Sequence, residues 1–217
     1  GQTLTGGEIE VKNGQLTGIL VDNAVNLVYN KVPAITPDLL KTALLEAQAN
    51  CFAMGLTTLD DCGLTYKEVL FLDSLQKSGA LKMRVYAMLS DAPENYAFIF
   101  PKGKIKTDRL NVRSFKVYAD GALGSRGACL LQPYTDQPGH TGFLLSNPAH
   151  FDSVAALISS NGFQMCTHAI GDSGNRIILN TYAKYLKGKN DQRWRIEHAQ
   201  VINQLDFSKF GDNSIIP

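Results

Sequence analysis

The sequence predicts an α/β fold, an incomplete (β/α) TIM-type barrel. Short β-rich runs alternate with amphipathic helical segments along the chain, a pattern typical of parallel strands joined by crossover helices. Polar residues also gather where the predicted strands end, and the active sites of such barrels form at the carboxyl ends of strands. These strand-end residues are Asp61, Lys116, Asp120, His168 and His198.

The beginning of the chain predicts a hairpin followed by a helix. Asn13-Gly14 lies between two extended runs and is a hairpin turn signal, whereas residues 17–28 show helix-like apolar spacing. Thr36 suits a helix N-cap and Pro37 the first helical position, and an apolar stripe follows. The next predicted elements are a helix end at Gly55, a β-rich run over 56–63 and a helix over 65–77.

The rest of the chain continues the alternation of strand and helix. In the strand over 112–119, Phe115 and Val117 fall on one side and Lys116 and Tyr118 on the other, because side chains alternate. The other predicted strands are 83–89, 163–167, 194–198 and the start of a sixth at 214–216, and the other predicted helices are a short one within 91–111, then 147–162, 172–186 and 201–210.

Composition limits the classes of protein that this chain can represent. Its 217 residues give room for one sizeable domain or two small ones, and 44% of them are hydrophobic. The net charge of +1 gives no electrostatic case for nucleic acid or an anionic membrane, and no window approaches a transmembrane helix. We predict one partial barrel domain over 1–217, with 1–34 as a peripheral segment and 35–217 as the barrel βα units.

The cysteines favour a reducing compartment. The four of them are far apart and form no C-x-x-C pair, and Cys62 and Cys166 lie in apolar runs typical of buried strands. We therefore expect inert, reduced thiols and a cytoplasmic location, with export of a longer natural protein left open.

Lys116 is unusual because it interrupts an apolar strand. Inside a barrel its amine would be paired or neutral, and a neutral lysine can act as a nucleophile, form a Schiff base or, after reaction with carbon dioxide, bind metal as an anion. Alternatively, the side chain reaches water at the strand end or pairs with Asp120 or a neighbouring acid. This stretch alone favours the second interpretation.

His168 and His198 end two successive predicted strands. Each histidine alone is typical of a hydrogen-bonded core residue, but on neighbouring parallel strands the two would lie close together at one rim. Lys116 ends an earlier strand of the same series. Neutral imidazoles are common metal ligands, and nitrogen ligands with carboxylate oxygens suit zinc or another divalent first-row ion.

A doubly wound nucleotide-binding domain is the alternative α/β fold. Gly121, Gly124 and Gly127 follow the Lys116 strand, but their spacing is G-x-x-G-x-x-G and not the G-x-G-x-x-G of the dinucleotide fingerprint. These glycines therefore predict a tight loop after a strand.

Five segments in order carry a specific family resemblance. They are GGEI at 6–9, GLTTLDDCG at 55–63, FKVYADGALGSR at 115–126, HAIGD at 168–172 and RIEHAQ at 195–200. With them the sequence resembles the amidohydrolase superfamily, in the amidohydrolase-3 branch of N-substituted formamide deformylase-like proteins, many of which are labelled exoenzyme regulatory proteins.

The resemblance implies roles for individual residues. Lys116 matches the fourth-strand lysine, which is carboxylated in many relatives and can bridge two metal ions. His168 and His198 match the ligands on the fifth and sixth strands, so the implied catalytic and metal-binding set is Lys116, His168 and His198. The residues assigned to orientation or substrate contact are Asp61, Asp120, Arg126, Asp172 and Glu197; a buried Arg126–Glu197 ion pair that braces the rim is the structural alternative.

The chain also departs from the family pattern. It contains no His-x-His of the first strand, no eighth-strand aspartate and no N-terminal β-sandwich. We therefore expect an internal piece of a larger enzyme that covers about strands 2 to 7 of the barrel, and we expect the piece alone to be inactive. Lys116 would be carboxylated in the whole enzyme and a plain lysine here.

The implied function is hydrolysis of a carbon–nitrogen bond in a non-peptide amide or formamide-like small molecule, through hydroxide on one or two divalent ions, with zinc expected. The alternative is a non-catalytic binding or regulatory module on the same barrel. We expect a small amide-type substrate and neither a nucleic-acid nor a membrane partner. A homodimer is one option for the assembly.

Overall fold

A computed structural model describes residues 4–217, so the first three residues of the predicted peripheral segment lie outside the described residues. The chain divides into two compact units. One comprises Val117–Pro217 together with the N-terminal residues up to Val32, and the other is Pro33–Lys116. The single domain over 1–217 stays a prediction.

The N-terminal segment is a β-hairpin followed by short helical turns. Strands β1 (Gly7–Lys12) and β2 (Gln15–Asp22) pair antiparallel around Asn13-Gly14, as predicted. A 3₁₀ turn (Asn23–Val25) and helix α1 (Asn26–Tyr29) follow. The helical interpretation of 17–28 is wrong up to Asp22, because the apolar residues there face cross-strand partners, such as Leu20 opposite Ile9.

The unit Pro33–Lys116 contains two capped helices, α2 (Pro37–Ala53) and α3 (Tyr66–Lys77). In α2 the Leu39 N–H donates to Thr36 Oγ1, which confirms the predicted N-cap. In α3 Thr65 and Glu68 form a capping box. The remaining elements of this unit are β3 (Thr58–Leu64), β4 (Arg84–Ser90), α4 (Pro93–Ile99), β5 (Ile105–Lys106) and most of β6 (Leu110–Tyr118).

The second half of the chain forms the other unit. Its elements are α5 (Pro148–Ser160), β7 (Gln164–Ala169), α6 (Asp172–Leu186), β8 (Arg195–His198), a 3₁₀ turn (Gln204–Asp206) and α7 (Phe207–Asp212). Trp194 and Tyr182 pack edge to face in its core, with ring centroids 4.8 Å apart. Trp194 donates its indole N–H to the Phe163 carbonyl, so its one polar group is satisfied inside the core.

The parallel strands follow chain order. The hydrogen-bonded order is β3-β4-β6-β7-β8, with β5 antiparallel to β6, and Ile216 makes a parallel bridge to Arg195. The order never reverses, so the doubly wound alternative is excluded and the incomplete (β/α) barrel is confirmed. The glycine loop after β6 opens no helix, since the next helix begins at Pro148.

The cysteine predictions are confirmed in part. None of the four cysteines, all of which lie within residues 4–217, forms a disulfide, and Cys166 is buried. Cys62 is exposed, because it lies on β3, the end strand of the hydrogen-bonded order, so its predicted burial is wrong. No helix within residues 4–217 is both long and apolar enough to cross a bilayer.

Candidate functional site

The two histidines of the predicted site lie together. β7 and β8 are parallel neighbours, and His198, the last residue of β8, is paired in register with Ala169, the residue after His168. The imidazole rings have centroids 4.7 Å apart and meet edge to face at 74°. Two imidazoles therefore lie side by side at the carboxyl ends of adjacent strands, as the sequence predicted.

The backbone beside this pair is strained. His198 and Ala199 have φ values of 77° and 41°, a left-handed conformation that costs a residue with a Cβ about 1–3 kcal/mol. Two residues later the Val201 N–H donates to the carbonyl of Ile170, which ties the segment after β8 to the segment after β7. The left-handed conformation changes the direction of the backbone at His198, the exposed histidine of the pair.

Asp120 organises the loops around the pair from a fully buried position. Its carboxyl group accepts hydrogen bonds from the N–H groups of Ile170 at 2.9 Å, Gly171 at 2.8 Å and Cys129 at 2.8 Å. Burial raises the pKa of this carboxyl above its ordinary value despite these three bonds, and the negative charge of Asp22 adds to the rise. One buried side chain thus joins the loop after β6 to the β7–α6 junction.

Asp120 also borders His168. The Nε2 atom of His168 lies 3.6 Å from Asp120 Oδ1 and 3.4 Å from the Gly121 carbonyl oxygen, two acceptors that favour a proton on Nε2. With the proton there, Nδ1 is the nitrogen left as a ligand or proton acceptor. On the other side the Tyr118 ring, 47% exposed, lies with its centroid 5.5 Å from that of His168. Tyr118 was not among the predicted site residues, although its place at the end of β6 was visible in the sequence.

The remaining predicted residues of this unit have other partners than expected. Asp172, the first residue of α6, accepts a bond from the Leu131 N–H at 2.8 Å and so holds the same loop. Glu197 pairs with Arg195, and Arg126 pairs with Asp136 at 2.8 Å. The proposed Arg126–Glu197 ion pair is therefore wrong, because each residue has a charged partner nearer along the chain.

Lys116 and Asp61 belong to the unit Pro33–Lys116. Lys116 is 3% exposed and is paired in register with Ser90 of β4, so the alternative in which its side chain reaches water is wrong. Asp61 lies within β3, three residues before its end, and is exposed. Both residues lie on parallel strands of one sheet, with β4 between β3 and β6, but only Lys116 is buried.

Asp22 is an acid that was not among the predicted site residues. It ends β2 with a φ of 49°, and its Oδ2 atom is buried without a hydrogen-bond partner. A Cβ atom added at Gly121 or at Gly127 would lie 2.1 Å from this oxygen, so a side chain at either position would have to displace the carboxyl group. Burial raises the pKa of Asp22. Gly121 and Gly127, whose spacing does not match the dinucleotide fingerprint, thus leave space for the Asp22 carboxyl group from the hairpin.

We expect Asp22→Asn to stabilise the chain at pH 7 by about 1 kcal/mol, because it removes a buried charge without changing shape. Since the folded pKa is raised above the ordinary 3.8, the folded chain binds the proton more tightly, and stability falls as pH rises through the interval between the two values. Urea unfolding at pH 7 and pH 3 measures this, and the advantage should vanish at pH 3. An equal advantage at both pH values would contradict the prediction.

The chemistry of the histidine pair suits a metal ion. Two adjacent imidazoles, one with an acceptor beside its Nε2, are a donor set that zinc or another divalent first-row ion accepts. Within residues 4–217, however, no three His, Cys, Asp or Glu side chains form a group that could hold a metal ion. The two imidazoles could therefore occupy two of the ligand positions around a metal ion.

Known proteins resemble the chain over most of its length. It is 29% identical to Protein LONG AFTER FAR-RED 3 of Arabidopsis thaliana over 97% of the chain and 39% of that protein. It is 27% identical to the putative amidohydrolase YtcJ of Bacillus subtilis strain 168 over 88% of the chain and 36% of that protein. The chain thus spans about two-fifths of these curated relatives.

A solved structure and a family model agree with these relatives. An uncharacterized metal-dependent hydrolase from Pyrococcus furiosus superposes with a TM-score of 0.76 at 27% identity, over 88% of this chain and 40% of that one. The sequence model of the amidohydrolase family matches residues 4–213, which include both histidines, Asp120 and Lys116. The chain therefore belongs to the amidohydrolase family.

Proposed function

We propose that this chain forms part of a metal-dependent hydrolase that cleaves the carbon–nitrogen bond of a small non-peptide amide or formamide-like substrate. The observation that carries the proposal is the contact between His168 and His198, whose rings are 4.7 Å apart at adjacent strand ends. Family membership and the similarity to a metal-dependent hydrolase support the same reaction class.

In this proposal His168 and His198 are ligands of a divalent metal ion, and we propose that this ion is zinc. Such an ion polarises a substrate carbonyl and lowers the pKa of water to about 7. Asp120 and the Gly121 carbonyl favour a proton on Nε2 of His168, so Nδ1 is the nitrogen proposed to bind the metal. Asp172 holds the loop beside the pair through the Leu131 N–H, and Tyr118 offers an exposed ring next to His168.

Lys116 is proposed as a further ligand from its place in the FKVYADG segment. Its 3% exposure supports a role that needs a desolvated amine, since carbon dioxide reacts with the neutral form. We propose that this amine is carboxylated in a longer polypeptide with the complete ligand set, and that it is a plain lysine in residues 1–217 alone.

Metal titration of the chain tests the site directly. Calorimetry with Zn²⁺ should show His168→Ala and His198→Ala each weakening binding at least about tenfold, because each removes one of two clustered donors. His150→Ala is the matched control, since His150 lies at the start of α5 and its N–H donates to Asn147. Unchanged zinc affinity in both site variants would refute the assignment.

Hydrolysis is measured on two polypeptides. We expect residues 1–217 alone to release no formate from N-formyl amines, because catalytic groups that act together fail together. A longer polypeptide that carries this chain should hydrolyse such a substrate, lose activity to a chelator and lose at least about 100-fold in kcat/KM with His198→Ala. Metal binding without hydrolysis in the longer polypeptide would favour the non-catalytic module instead.

A further inference from the structure

Asn175 is a fully buried asparagine in the first turn of α6. Its side-chain nitrogen donates to three backbone carbonyl oxygens, those of Ala169 at 3.1 Å, Gly171 at 2.9 Å and Val201 at 3.3 Å. The side-chain oxygen, Oδ1, is buried and, within residues 4–217, has no hydrogen-bond partner. Because all three neighbours of the nitrogen are acceptors, turning the amide over would give its oxygen three repulsive contacts. The amide therefore contributes through its nitrogen, and an unsatisfied oxygen is tolerated beside it.

Two of these three bonds lie outside the helix. The bond to Gly171 repeats a contact that α6 already has, since the backbone N–H of Asn175 donates to the same carbonyl at 2.8 Å. The bonds to Ala169 and Val201 instead reach two other segments, because Ala169 is the last residue of β7 and Val201 lies three residues after the end of β8. One side chain thus joins the ends of the two strands that carry the histidine pair.

Val201 is held at both of its backbone polar groups. Its N–H donates to the Ile170 carbonyl at 2.9 Å, and its carbonyl accepts the bond from Asn175. Just before it, His198 and Ala199 have left-handed φ values of 77° and 41°, which are unfavourable and persist only where surrounding contacts fix them. The two bonds to Val201 are contacts of this kind, because they set where the chain must be three residues after His198.

We propose that Asn175 is the positioning residue of the histidine pair: it joins the chain after β7 to the chain after β8 and so keeps the His198 imidazole against that of His168. Ala169 and His198 are paired in register, so these bonds act on the cross-strand partner of His198 and on the chain that follows it. Asn175 acts through the backbone rather than as a ligand. Its effect on ring geometry needs no metal, whereas its effect on zinc affinity rests on the proposed function.

Nuclear magnetic resonance of the metal-free chain, with its histidine rings labelled, tests this positioning role. Rings with centroids 4.7 Å apart should give nuclear Overhauser cross-peaks between the ring protons of His168 and His198. Asn175→Leu removes the donors together with the unsatisfied oxygen at nearly constant size, so we expect these cross-peaks to be lost and zinc affinity to fall at least about tenfold. Cross-peaks of native intensity in this variant would overturn the inference. If the native chain binds no zinc, the proposed function fails, but the cross-peaks still decide the role of Asn175.

Asn95→Leu is the matched control. Asn95 is also fully buried and lies in the first turn of α4, where it donates to the carbonyls of Leu64 at 3.2 Å and Ser90 at 2.9 Å, the last residues of β3 and β4. This variant should lose stability for the same reason but keep both the cross-peaks and the zinc affinity, and loss of the cross-peaks here would refute the assignment. If Asn175→Leu does not fold, Asn175→Ser keeps the test decisive. A serine can bond the carbonyl four residues earlier but is too short for the other two, so the cross-peaks should again be lost, and native cross-peaks would again overturn the inference.

Discussion

Asp120→Ala is expected to lower the free energy of unfolding by about 3–5 kcal/mol. The substitution leaves the N–H groups of Cys129, Ile170 and Gly171 without their acceptor in a place that water does not reach, since Asp120 is fully buried. Each unsatisfied buried donor costs about 1–3 kcal/mol, and some relaxation makes the sum less than additive. Urea unfolding followed by circular dichroism measures the loss.

Asp136→Ala is the matched control for this experiment. Asp136 lies in the same loop, but it is 65% exposed and its partner is the exposed guanidinium of Arg126, so we expect a change within about 0.5 kcal/mol. If Asp120→Ala is too unstable to purify, Asp120→Asn keeps the size and loses part of the acceptor set. A loss below about 1 kcal/mol for Asp120→Ala would show that the three bonds contribute little.

Gly142→Ala is expected to destabilise the chain by about 3 kcal/mol or more. Gly142 has a φ of 70°, and a Cβ there would lie 2.0 Å from the Ala128 carbonyl oxygen, so the variant adds a backbone clash to a strained conformation. The atom it meets is backbone and cannot rotate away, and the neighbouring Leu130 N–H bonds Thr141 O at 2.7 Å. Two loop segments would have to separate to accept one methyl group.

Gly139→Ala separates the clash from the strain. Gly139 also has a positive φ, 87°, but no atom lies within 4 Å of the added Cβ, so only the conformational cost of about 1–2 kcal/mol remains. The difference between the two variants in urea unfolding should therefore be about 2 kcal/mol. Equal losses of stability in the two variants would mean that residues 128 and 142 move apart without cost, and the prediction would be wrong.

Much of the site could be predicted because strand ends are readable from sequence. His168 and His198 each close a β-rich run, and parallel strands in chain order bring such ends together, which the 4.7 Å ring contact confirms. The burial of Lys116 could not be decided from its own strand, since a lysine at that position fits both a buried amine and one that reaches solvent.

Other features depend on contacts that no local pattern encodes. Leu20 and Val21 fit both a helix and a strand, and only pairing with β1 decides between them. Asp22 is the last residue of a strand, and its position is special only because Gly121 and Gly127, about a hundred residues later in the chain, lie against its carboxyl group. Arg126 could have paired with any nearby acid, and loop geometry selected Asp136.

The bonds of Asp120 also have a consequence for the order in which the chain folds. Its acceptors reach Cys129 across 9 residues but Ile170 and Gly171 across 50 and 51. Closing the longer loops costs more chain entropy, and that cost is recovered only after α5 and β7 have brought the start of α6 to the end of β6. The loop after β6 should therefore gain its native form late, after the helices and strands that flank it.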